Sequence, residues 1–120
     1  MSHDKFIGEL EHMVLLAVLQ LKEQAYGAQI RQYLAQQVGR DLSIGALYTT
    51  LERLEQKGLL QTSRGEATAE RGGRAKKYFE ITAQGSQALR RSKSALDQLW
   101  TGIALPCVGL PSMRLEDIAR

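Results

Sequence analysis

The chain has 120 residues, 16 Lys and Arg against 13 Asp and Glu, and a formal charge of +3; this suits one globular domain and permits a polyanionic partner without demanding one. A single cysteine, Cys107, excludes an intramolecular disulfide and a Cys-based zinc cage. The longest apolar run, Met13 to Leu19, is too short to span a bilayer, and no signal-peptide pattern opens the chain, so a soluble cytoplasmic protein without cofactor or membrane contact is expected.

Both prolines, Pro106 and Pro111, lie near the C-terminus, leaving everything before them open to regular structure. Glu9 to Leu21 reads as a first helix after Gly8. Leu10, Met13, Val14, Ala17, Val18 and Leu21 follow helical spacing, while Leu15, Leu16 and Leu19 fill the other side. A helix apolar nearly all round needs cover nearly all round, part of it from a second subunit. A second helix runs from Tyr26 or Gly27 to Val38, with Ile30, Leu34 and Val38 inward and Gly39 as the stop. After a short link, Ser43 reads as the N-cap of a third helix, with Leu47, Leu51 and Leu54 on its buried side and Gly58 beyond its end.

The period then changes. Leu59 to Glu66 and Ala75 to Thr82 read as two strands joined by a charged loop, Ala67 to Arg74, that contains Gly72 and Gly73. Thr82 caps a fourth helix whose apolar stripe is Ala88, Leu89, Ala95, Leu96, Leu99 and Trp100, a spacing suited to packing on another helix. Thr101 to Arg120 reads as a tail with at most one short helix.

Three helices, a hairpin and a long helix, in that order, outline a helix-turn-helix with a wing: a mainly α fold with a small β-hairpin. The third helix then presents Gly45, Ala46, Thr49, Thr50 and Arg53 outward, with Tyr48 at the margin. Small residues near its start let such a helix sink into a major groove about 12 Å wide. Thr49 and Thr50 suit bases or phosphates, Arg53 a guanine edge or the backbone, and the helix N-terminus behind Ser43 attracts a phosphate. In the wing, Arg71, Arg74, Lys76 and Lys77 form a cationic strip diluted by Glu66 and Glu70. The plainer alternatives are a solvated amphipathic helix and a hairpin whose cations block edge pairing.

Several runs resemble the PadR-like transcriptional regulators. They are Gly8-Glu9-Leu10-Glu11 with Leu15 to Leu19, Tyr26-Gly27 followed by Ile30, Leu42 to Leu54, Gly58-Leu59, and Arg71 to Phe79 with Ile81, Thr82 and Gly85. The resemblance covers roughly residues 6–100 and implies a winged-helix repressor acting as a homodimer on double-stranded DNA with a palindromic operator. By that resemblance, residues 6–82 form the DNA-binding domain, 83–104 the C-terminal dimerisation helix and 105–120 a tail for which the family gives no guide. The dimer and effector residues it suggests are Leu15, Val18, Leu96, Leu99 and Trp100, since the fourth helix packs on the partner's first. Many relatives release DNA when a small aromatic compound binds near that interface. Trp100 is the residue suited to stack on one, its rival role being to fill the dimer core.

An enzyme is not expected. His3 and His12, the two histidines, have no serine or cysteine partner in a recognisable frame. His3, Asp4, His12 and Cys107 match no metal-ligand spacing, Cys107 reads as a plain small hydrophobe, and Gly72-Gly73 lacks the Lys-Ser/Thr of a phosphate loop. The competing reading is a winged helix used for protein contact. Structured RNA fits less well, because an A-form major groove is too narrow to read.

Overall fold

A computed structural model describes residues 6–64 and 76–105. Helix α1, Glu9–Leu21, and a single 3₁₀ turn, Lys22–Gln24, lead to α2, Gly27–Val38, and α3, Ile44–Gln56. Strands β1, Leu60–Arg64, and β2, Lys77–Ile81, pair antiparallel from Leu60 opposite Ile81 to Arg64 opposite Lys77, and α4 follows as Ala83–Trp100.

Local chemistry sets these boundaries. Gly39 closes α2 at φ 67°, a left-handed conformation that costs a residue without Cβ least. The Ser43 hydroxyl accepts from the Ala46 amide, and the Thr82 hydroxyl from the Gly85 amide, so both expected caps form. Thr82 also donates to the Gly58 carbonyl at 2.7 Å, which ties the start of α4 to the turn that ends α3. Helix α4 stops at Trp100, before the expected residue 104: Thr101 leaves helical geometry and Gly102 takes φ 81°.

The core is built from Val14 and Leu15 of α1, Ile30 of α2, Leu47, Leu51 and Leu54 of α3, and Phe79 of β2, all fully buried. Helix α1 is the hub, touched by α2, α3, α4 and β2. That crowding corrects the expected division of its faces. Leu15 and Val18, suggested as dimer or effector residues, lie in the core of the chain itself, whereas Leu16 and Leu19 are exposed. Val38, expected on the inner stripe of α2, is also exposed, at the last residue of the helix.

One charge enters the core. Glu11 is buried, and its carboxylate accepts from the Gly8 amide at 2.9 Å and from Lys57 Nζ at 2.9 Å. Burial alone would raise its carboxyl. The Gly8 amide, the Lys57 ammonium and the Arg53 guanidinium outweigh burial and hold it below the ordinary carboxylate value.

Candidate nucleic-acid interface

Helix α3 is positioned from both ends. Its inner leucines are locked in the core, and Arg31 of α2 donates from Nε to the Leu42 carbonyl at 2.6 Å, bracing the link between the two helices. At its far end, Lys57 is held by Glu11. Arg31 and Lys57 were invisible as positioning groups in the sequence, since each partner lies 11 and 46 residues away. An exposed arginine on a helix carries no sign of such a bond.

With that face locked, Gly45, Ala46, Thr49 and Arg53 stand exposed together on the outer side, joined by Glu52 and Gln56. Thr50 does not belong to this group. It is 4% exposed and its hydroxyl donates to the Ala46 carbonyl, because it lies one turn from Leu47 and Leu54, at the edge of the buried face. Thr49 is exposed, but its hydroxyl donates to the Gly45 carbonyl at 2.9 Å, so in this rotamer it offers acceptor lone pairs and its methyl group. Tyr48 is half-buried and packs against the start of α2, where a Cβ on Gly27 would collide with its ring. It braces α3 against α2 instead of standing on its outer face.

The wing begins beside this helix. The Phe79 amide donates to the Ala25 carbonyl at 2.9 Å, and Tyr26 bridges to Tyr78, so the segment before α2 docks along β2. Lys77 is exposed, with its ammonium 5.8 Å from the Phe79 ring centroid. Lys76 is half-buried, and its ammonium lies 4.1 Å from the centroid of the Tyr26 ring. Arg71 and Arg74 lie outside the described residues, as do His3, Asp4, Cys107 and the tail from 106 onward. Among the described residues no cluster of three His, Cys, Asp or Glu could hold a metal, and no helix is long and apolar enough to cross a membrane.

A second surface is formed by α4 and α1. Leu96, Leu99 and Trp100 of α4 are 50%, 74% and 54% exposed. Between α1 and α4, Phe6, Ile7, His12, Met13, Leu96 and Leu99 line much of an apolar cleft of about 640 Å³. Trp100 faces a separate shallow groove with Leu96, Leu99, Ile103 and Leu105. Burial holds the His12 imidazole below its ordinary pKa.

The chain is similar to solved members of one family. The structure of a PadR family transcriptional regulator from Eggerthella lenta DSM 2243 superposes with a TM-score of 0.62 at 30% identity, covering 78% of this chain and 81% of that one. A PadR-like transcription factor from Bacteroides fragilis gives 0.63 at 31% identity, covering 75% and 82%. A PadR-like transcriptional regulator from Bacillus cereus gives 0.64 at 24% identity over 77% and 84%, a likeness of fold. No curated protein sequence matches the chain. The model of the transcriptional regulator PadR-like family matches residues 15–91, well over half the chain. With the helix-turn-helix and wing in place and that match spanning both, the chain belongs to the PadR-like family of transcriptional regulators.

Proposed function

We propose that the chain is a homodimeric, sequence-specific DNA-binding repressor whose α3 enters the major groove of a palindromic operator. The observation that carries this reading is the outer face of α3, where Gly45, Ala46, Thr49 and Arg53 stand clear of a helix anchored by three buried leucines. Small side chains at its N-terminal end let the backbone approach the bases, and Arg53 reaches a guanine edge or a phosphate. Thr49, as an acceptor with a methyl group, suits a base amino group or a thymine methyl. Lys77, with Arg71, Arg74 and Lys76 from the sequence, neutralises flanking phosphates.

The exposed stripe of α4 supports pairing with a second copy, which sets two reading helices about 34 Å apart on one face of the duplex. The dimer residues of this reading are Leu96, Leu99 and Trp100, with Leu16 on the α1 side. A small aromatic effector is the proposed release signal, and the α1–α4 cleft supports it by offering an apolar chamber beside the pairing stripe.

The test is selection of bound sequences from random duplex DNA by the purified protein at two salt concentrations. A palindromic consensus is expected, with log K falling against log salt at a slope near −5 if about six phosphates are contacted. A flat slope with no consensus would favour a winged helix that docks on protein.

A further inference from the structure

We propose that Tyr26 is a positioning residue: its ring latches the base of the wing through Lys76 and so sets the wing's placement relative to α3. This rests on the DNA-binding reading for its consequence, though not for its geometry. Tyr26 occupies the turn immediately before α2. Its backbone bridges to Tyr78, its ring meets the Tyr78 ring edge-on at 5.4 Å and 75°, and the Lys76 ammonium sits over its face at 4.1 Å. The Gln29 amide donates to its hydroxyl at 3.3 Å, which adds a tie to α2 itself. One residue on, Gly27 receives the Tyr48 ring from α3. Three elements therefore meet within two consecutive residues: the start of α2, the second turn of α3 and the returning strand of the wing.

A reader that grips DNA with a helix and a wing gains from the second contact only if both fit the duplex at once, because the first contact then holds the other at high effective concentration. The cation over the ring fixes the residue immediately before β2. Lys76 therefore acts through Tyr26 as well as through its charge. Phosphate contact alone would make Lys76 and Tyr26 independent; a latch makes them depend on one another.

The experiment is a double-mutant cycle with the full chain, using the duplex that the wild type selects from random DNA. Tyr26→Leu and Lys76→Gln are each expected to weaken binding about threefold to tenfold, in line with a partly exposed cation–π contact. Tyr26→Phe, which keeps the ring, should stay within about twofold of wild type by the same reasoning. In the Tyr26→Leu background, Lys76→Gln should lose most of its effect. Additive losses, or equal losses from Tyr26→Phe and Tyr26→Leu, would overturn the latch.

A second readout needs no DNA. Amide hydrogen exchange at Phe79, whose N–H is bonded to Ala25, should quicken in Tyr26→Leu and Lys76→Gln and stay unchanged in Tyr26→Phe. Unchanged exchange in all three refutes the latch, whereas a wild type that binds no DNA refutes the functional reading and leaves this arm decisive. If Tyr26→Leu does not fold, Lys76→Gln against Lys76→Arg decides instead: recovery of Phe79 protection by arginine supports the latch, and no difference between them rejects it.

Discussion

Helices α3 and α4 are both strongly amphipathic, yet they treat their apolar faces differently. In α3 the three leucines that define the stripe are fully buried in the core, and the outer side is small and polar. In α4 only the first half is covered, through Gly85, Ala88, Leu89 and Ser92, while Leu96, Leu99 and Trp100 stand in solvent. The same periodicity thus serves two purposes. One helix uses it to leave a small, polar outer face, and the other carries it past the core, so that its last apolar side chains stay exposed.

The largest effect should separate these halves directly. Leu51→Ala is expected to cost about 2–5 kcal/mol of unfolding free energy, since it opens a cavity in a filled core. Leu99→Ala, at a side chain 74% exposed, should change the stability of the dilute subunit by less than about 0.5 kcal/mol. Denaturant titrations of the two variants at low protein concentration provide the check. Equal losses would erase the distinction drawn between the helices.

Concentration sharpens the contrast next. Trp100→Ala removes a large apolar group from the stripe and should weaken self-association about tenfold to a hundredfold, the range for burying one such side chain. Sedimentation equilibrium reads this without reference to DNA. A dimer intact at low micromolar protein would place Trp100 outside the interface and leave it to its other suggested role.

A third change probes what holds the end of α3 that α4 lacks. Glu11→Ala breaks the Glu11–Lys57 bridge and frees the Gly8 amide, for a loss of about 1–3 kcal/mol, limited because Lys57 still reaches water. The native carboxyl lies below its ordinary value of 4.5, so the unfolded chain binds this proton more readily. The contribution is therefore complete above about pH 4.5 and declines as pH falls through the lowered native value. Acid titration of stability should be shallower in Glu11→Ala, and an identical acid limb would mean that another group governs it.

Local signals in the sequence were enough for the framework, and long-range ones were not. Ser43, Thr82 and Gly39 announce their helix ends because each acts within about four residues of its partner. Helix α3 was legible because three leucines leave one inner face. Helix α1 was not, since apolar residues on nearly every side give no preferred direction; only its packing against α2, α3, α4 and β2 decides that Leu15 turns in and Leu16 out. Thr50 misled for a related reason. Its small size and polarity suit an outer face, but a hydroxyl bonded within its own helix can be buried at little cost. The Lys76 ammonium over Tyr26 joins residues 50 positions apart, a separation no local pattern encodes.

The smallest expected effect concerns His12, which lines the cleft between the buried and bare ends of the comparison. Its native pKa lies below the ordinary 6.5 because burial disfavours the imidazolium. The unfolded chain thus takes up this proton first, so stability is whole above about pH 6.5 and falls as pH drops toward the native value. His12→Gln should flatten that part of the stability profile while leaving the Glu11 limb at lower pH in place. If a second copy of α4 covers the cleft, the same proton must also be accommodated in the dimer. Self-association should then weaken as pH falls below about 6.5 in the wild type and much less in His12→Gln. Equal weakening in both proteins would show that the bare half of α4 meets its partner without enclosing this cleft.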